Sequence, residues 1–160
     1  MQQNILRRFP MEIKRILFPT DFMEGTVQAV PYAVDLAKKY GARLFIIHVI
    51  HEVTRATGLY VPHITIDELY KTMEAEAEKE ISRVYLEELR GFDDVEYKVL
   101  KGIPYEEIIA FARDNAMDMI VMGTHGRKGL DRLFFGSTAE KVVKGAPCPV
   151  LTVRAKEFAA

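Results

Sequence analysis

The chain has 160 residues, 49% of them apolar and 28% charged, with a formal net charge of −1. That length suits one domain with a substantial core, and the charge balance leaves no electrostatic footprint for a nucleic-acid partner. No apolar run approaches the roughly 18 residues that span a bilayer, and the lone Cys148 excludes an intramolecular disulfide, so a cytoplasmic protein with no membrane partner is expected.

Residues 1–11 read as an extension ahead of the folded unit; MQQNILRRFP has two arginines but not the apolar core of a secretory signal. The first strand is expected from Ile13 to Phe18, closed by Pro19, which cannot donate to a ladder. Thr20 and Asp21 then form the loop at its end. A helix from about Thr26 to Tyr40 carries Val27, Val30, Val34 and Ala37 at helical spacing. Pro31 requires that this helix begin near it or kink in its first turn, and Gly41 closes it. Arg43 to Ile50 is nearly all apolar and reads as a central strand covered on both faces. His48 inside it reads as a packed or singly hydrogen-bonded histidine. From His51 to His63 no period is evident, so a loop is expected, without the spacing of a zinc site.

The longest helix is expected over Ile66–Arg90, with Thr65 and Glu68 as a capping box and Ile64 with Leu69 as a hydrophobic staple. Its apolar stripe comprises Leu69, Met73, Ala77, Ile81, Val84 and Leu89. Glu74, Glu76, Glu78 and Glu80 read as a solvated acidic face, and Gly91 ends the helix. Val95–Val99 alternates in the manner of an edge strand. Pro104 then opens a helix, with Glu106 and Glu107 in its first turn and Asn115 as a cap. Asp118–Met122 reads as a buried strand, Ser137–Lys144 as a short helix, and Pro149–Val153 as the last strand. Strands alternating with helices imply an α/β fold, a doubly wound five-stranded parallel sheet with helices on both faces. Ligands of such sheets bind beyond the C-terminal strand ends, where the winding reverses.

Between the fourth strand and the last helix runs MGTHGRKGLDRLFFGSTAEKVVK, residues 122–144. Glycine reaches φ > 0 and adds no Cβ bulk, so a glycine-rich strand-to-helix turn lets backbone N–H groups converge on a phosphate. The following helix adds free N–H groups and the positive end of its dipole. Ser137 is expected as its N-cap, with Glu140 as capping-box partner. The cradle would use donors around Gly126, Gly136 and Ser137, the hydroxyls of Ser137 and Thr138, and the charge of Arg127. Neither GxxxxGK[ST] nor GxGxxG occurs. Asp21 can accept from ribose hydroxyls or help hold Mg2+; as the alternative, it is a turn or capping acid. Val49 and Met122 are suitable apolar walls for an adenine.

The spacing Gly123-x2-Gly126-x9-Gly136-Ser137 resembles the G-2x-G-9x-G-[S/T] signature of the universal stress protein family, in its ATP-binding branch. Ile16–Asp21, Leu44–Val49, Met122–Gly126 and Pro147–Val153 are similar to the family's corresponding segments, over residues 12–154. The resemblance implies a single Rossmann-like domain there, with 155–160 as a tail, and a strand order of 3-2-1-4-5. It places Asp21 and Gly123 at the ribose, the backbone of Val49 at adenine, and Gly126, Gly136, Ser137 and Thr138 at the phosphates of ATP or AMP. Around these, Pro19 and Thr20 on one side and Met122, Thr124, His125 and Arg127 on the other complete the candidate nucleotide site. Mg2+ is a candidate companion at Asp21.

An edge position for the last strand would expose the backbone of Val150, Leu151, Thr152 and Val153 with little charge to discourage pairing. Two copies can then pair about a two-fold axis, as members of the family often do, so a homodimer is expected; the competing expectation is an edge covered by residues 154–160. The function expected is a nucleotide-dependent regulatory or stress-response protein that acts through its conformation on a protein partner. One alternative is a slow ATPase or nucleotide-transfer enzyme of related fold. For it His125 is the one histidine near the loop in sequence, and SGGxDS, HxGH and KMSKS are all absent. A nucleotide-free interaction module is the other, and the intact glycine set argues against it.

Overall fold

The computed structural model describes residues 12–51, 63–124 and 136–155. The N-terminal extension, most of the expected loop between His51 and His63, and His125, Gly126 and Arg127 lie outside the described residues. The elements are β1 (Arg15–Thr20), α1 (Glu24–Val27), α2 (Val30–Tyr40), β2 (Arg43–His51), α3 (His63–Val84), β3 (Val95–Gly102), α4 (Pro104–Asp114), β4 (Met119–Gly123), α5 (Ser137–Gly145) and β5 (Val150–Val153). All five strands pair in parallel, in the order β3-β2-β1-β4-β5. This is the doubly wound sheet expected, with β3 and β5 at its edges.

The pleat sends alternate side chains to opposite faces. Ile16, Phe18, Leu44, Ile46 and Val121 pack against Val30, Ala33, Val34 and Ala37 of α2 and against Ile81 and Tyr85. Leu17, Phe45, Ile47, Ile120 and Met122 pack against Ile108 and Ala112 of α4 and Ala139 and Val142 of α5. One face thus carries α1, α2 and α3 and the other α4 and α5, and the unbroken apolar run of β2 follows from burial on both sides. Asp118 fastens the start of the sheet: its Oδ2 accepts the backbone N–H of Lys14 at 2.8 Å and of Arg15 at 2.9 Å.

Several local expectations change. Pro19 does not close β1; it lies inside the strand, opposite Ile47 of β2. The registered pairing of β1 with β4 stops at Leu17–Ile120, so the end of β1 is bound on one side only and tolerates a residue without an N–H. The expected helix over Thr26–Tyr40 is two helices, and the second begins at Val30 with Pro31 in its first turn, where the missing N–H costs nothing. The long helix starts at His63, so Thr65 is not its N-cap. Regular helix stops at Val84; a looser set of turns continues to Gly91, whose φ of 73° reverses the chain. The buried stripe is Tyr70, Ala77, Ile81, Tyr85 and Leu89, whereas Leu69 and Met73 are 58% and 41% exposed. Leu69 and Tyr70 are adjacent and both apolar, so the sequence left the helix phase ambiguous, and the packing chose Tyr70. The acidic face is solvated as expected, with Glu76, Glu80 and Glu74 paired to Lys79, Arg83 and Lys101.

Two helix ends show the same motif with different residues. At Gly41 (φ 61°) the N–H of Ala42 bonds to the carbonyl of Ala37 at 2.9 Å. At Ala116 (φ 48°) the N–H of Met117 bonds to Ala112 at 2.9 Å and that of Ala116 to Arg113 at 3.1 Å. Both are Schellman closures, but the second forces a Cβ into the left-handed region. That region costs an L-residue about 1–2 kcal/mol, part of which glycine gives back through its freer unfolded chain. Ala116→Gly is therefore expected to stabilise the protein by about 0.5–1 kcal/mol in urea unfolding. A midpoint that fell would show that residue 116 does not hold this conformation.

Candidate functional site

At the point where the winding reverses, β1 and β4 are neighbours, and their registered pairing covers only Ile16–Met119 and Leu17–Ile120. Beyond it β1 stays tied to β2 as far as Thr20–His48, and β4 to β5 as far as Gly123–Val153. The registered pairing of the two central strands therefore ends before their C-terminal ends, and Thr20–Phe22 and Met122–Thr124 border the point where ligands of such sheets bind. β1 ends opposite His48, so Val49 projects past it on β2, half-buried on the same face as Met122.

The β4 side is built from Thr124 outwards. Its N–H continues the β5 ladder to Val153 at 3.1 Å, and its carbonyl accepts the N–H of Gly136 at 2.8 Å. That second bond closes the segment between residues 124 and 136 at its base and brings the start of α5 to the end of β4. Gly136, not Ser137, is the N-cap of α5, and among the described residues no side chain caps this end. Ser137 is already the first helical residue, because the carbonyl of Gly136 accepts the N–H of Glu140 at 3.0 Å. The N–H groups of Ser137, Thr138 and Ala139 therefore have no acceptor within the helix. Two hydroxyls, Ser137 and Thr138, stand at the same terminus.

Gly123 and Gly136, the two described glycines at the ends of this loop, differ from expectation in their reason. Among the described glycines only Gly41, Gly91 and Gly102 have positive φ, and Gly136 sits at φ −58°, ψ 149°. Gly123 is required by close approach. A Cβ there would stand 2.9 Å from the carbonyl oxygen of Gly25 and 3.1 Å from Cα of Thr26, both backbone atoms of α1.

The β1 side is a turn held from several directions. Asp21 is exposed, and its Oδ1 accepts the N–H of Met23 at 3.0 Å and the hydroxyl of Thr26 at 2.7 Å. Of the alternatives left open by the sequence, the turn acid is realised and not the cap, since Met23 is the N-cap of α1 and has no side-chain cap bond; among the described residues both of these bonds fall on one oxygen. Thr20 is buried; its Oγ1 meets the Tyr85 hydroxyl and accepts the N–H of Phe22 at 3.0 Å. His48 Nδ1 donates to the Thr20 carbonyl at 2.9 Å, which fixes the proton on Nδ1 because a carbonyl only accepts. His48 is accordingly packed and hydrogen-bonded, as expected. Phe22 has φ 60°, rare for a bulky side chain. Its ring lies on His48 at 4.6 Å and near Tyr85 at 6.5 Å.

Sequence reasoning missed Phe22, Gly25, Thr26 and Tyr85. Tyr85 was legible as the residue four beyond Ile81 in the stripe, whereas nothing marks Phe22 for a left-handed conformation. Cys148 is half-buried, and burial, aided by the Asp118 charge, raises its thiol pKa, as suits a packed rather than reactive cysteine. At the far edge of the sheet Leu151 is 39% exposed while Val153 is buried in the core. Val153 could thus join an interface only through its backbone. Among the described residues no helix is long and apolar enough to cross a membrane.

The universal stress protein family profile matches residues 12–154. Universal stress protein MJ0531 of Methanocaldococcus jannaschii is 36% identical over 153 residues, covering 94% of this chain and 88% of that protein. The solved structure of MJ0577, from the same organism, is 30% identical with a TM-score of 0.73, covering 92% of this chain and 99% of that one. A universal stress protein from Archaeoglobus fulgidus, solved in complex with dAMP, is 18% identical with a TM-score of 0.59 over 89% of this chain and 98% of its own, a likeness of fold alone. With the sheet order, the short pairing of the central strands and the glycine signature all in agreement, the chain belongs to the universal stress protein family.

Proposed function

We propose that this protein binds an adenine nucleotide, ATP or AMP, at the C-terminal ends of β1 and β4, and acts as a nucleotide-dependent regulatory protein of the cytoplasm. The observation that carries this is the N-terminus of α5, which no described side chain caps and which the Gly136–Thr124 bond holds at the end of β4. Three N–H groups, two hydroxyls and the helix dipole form a donor set suited to phosphate oxygens. The backbone of Gly136 makes no demand for glycine, and on this reading the volume a Cβ would take belongs to the phosphates. The dAMP-bound relative supports an adenylate as ligand for this fold.

The remaining roles follow from position. Asp21, Pro19 and Thr20 border the ribose from β1, and Met122, Gly123 and Thr124 from β4. Val49, past the end of β1, offers its backbone to the adenine. Gly126, with His125 and Arg127, would continue the cradle. Asp21 would hold Mg2+ beside the phosphates, and the ion would there offset their charge. Two copies would pair through the β5 edge, the exposed Leu151 at its centre, and a protein partner would read the nucleotide state.

Ser137→Pro isolates the cradle. Proline is favoured at the first helical position, and Gly136 already has the extended ψ that a following proline requires. The variant should keep its fold while losing one N–H and one hydroxyl. Hydrogen bonds to charged groups are worth about 1.5–3 kcal/mol, so ATP affinity in calorimetric titration should fall roughly tenfold to a hundredfold. Wild-type affinity in a folded Ser137→Pro protein, or no binding of ATP or AMP by the stripped wild type, refutes the assignment. Turnover of bound ATP would instead favour the enzyme alternative.

A further inference from the structure

We infer that Tyr85, buried behind the last residue of β1, is a positioning residue that sets the Asp21 carboxylate for the ribose, given nucleotide binding as proposed above. Tyr85 follows α3 directly, far in sequence from β1, and is fully buried. Its hydroxyl reaches the hydroxyl of Thr20, the last residue of β1. That same Thr20 oxygen accepts the Phe22 N–H at 3.0 Å, a hydroxyl-to-backbone turn that brackets Asp21 on both sides. His48 holds the Thr20 carbonyl at 2.9 Å, and the rings of His48 and Tyr85 flank Phe22. Asp21 itself is exposed, so its place is decided by its two clamped neighbours.

Phe22 makes the arrangement informative. A phenylalanine at φ 60° persists only where its surroundings hold it. Here the holding groups are the Thr20 hydroxyl, which Tyr85 orients, and the two flanking rings. The turn they enforce presents Asp21 Oδ1 to Met23 N–H and Thr26 Oγ1 at 3.0 and 2.7 Å, which fixes the carboxylate's direction. Burial drives the tyrosine pKa upward, so the hydroxyl stays protonated across the physiological range. The contact is therefore a constant strut. A tyrosine that merely filled the core would need no hydroxyl at the end of β1, and phenylalanine would serve.

Tyr85→Phe removes that hydroxyl alone. Its test compares ATP with 2′,3′-dideoxy-ATP, which lacks both groups an Asp21 carboxylate would accept from. The stripped wild type should prefer ATP by about tenfold, as expected for a hydrogen bond between a hydroxyl and a charged group. In Tyr85→Phe that preference should fall to about twofold with dideoxy-ATP affinity unchanged. Thr20→Val, which removes the hydroxyl that Tyr85 meets, should lose the preference with dideoxy-ATP affinity unchanged; it decides the matter if Tyr85→Phe fails to fold. Equal weakening toward both nucleotides in Tyr85→Phe, or an unchanged preference, would overturn the positioning role. If the wild type binds both nucleotides equally, Asp21 does not read the ribose and Tyr85 positions nothing. If it binds neither, the nucleotide assignment itself falls.

Discussion

Gly123→Ala is expected to destabilise the ligand-free protein by about 1–3 kcal/mol, the usual cost of overpacking a filled site. The added Cβ would sit 2.9 Å from the Gly25 carbonyl oxygen and 3.1 Å from Thr26 Cα. Neither atom is the tip of a flexible side chain, so α1 must move as a unit. That motion carries Thr26, whose hydroxyl holds Asp21 at 2.7 Å, and nucleotide affinity should fall with stability. Urea unfolding without nucleotide checks the first effect. The resemblance to nucleotide-binding relatives, taken alone, assigns Gly123 to the ribose and predicts the opposite pattern, weakened binding with an unaltered unfolding midpoint. An unchanged midpoint would therefore return Gly123 to a purely ligand-facing role.

On the proposed pairing through β5, Leu151→Lys is expected to raise the dimer dissociation constant by a factor of about 30 or more, since losing a central interface anchor typically costs at least 2 kcal/mol. Among the described residues β5 pairs with β4 on one side only, and no strand lies along its other edge. Leu151 is 39% exposed in the protomer, so lysine fits the monomer without a buried charge and works as natural edge strands use it, against pairing. The protomer should keep its unfolding midpoint while sedimentation equilibrium shows monomers. A dimer of wild-type strength would place the interface elsewhere. Val153→Lys would not serve, because that side chain is buried and the variant would unfold the core.

The β/α alternation and the edge position of β3 were legible in the sequence's own pattern, whereas the adjacency of β1 and β4 came only from the family resemblance. The first two depend on local hydrophobic period: Leu44–Ile50 could be nothing but a strand covered on both faces, and Pro104, Glu106 and Glu107 open a helix wherever they stand. The Gly123-x2-Gly126-x9-Gly136-Ser137 spacing is likewise a property of the chain alone. What tertiary structure decided depends on neighbours distant in sequence. Pro19 is admitted inside β1 because the registered pairing of β1 with β4 has ended by that point, which no window around residue 19 contains. Tyr70 faces the core in place of Leu69 because the sheet selects one helical phase from two that the pattern permits. Gly123 is glycine because of the backbone at residues 25 and 26, and the end of β1 beside Asp21 is braced by a hydroxyl contact between residues 65 apart. Period and composition record what each residue prefers; which backbone arrives against it is settled only when the chain closes on itself.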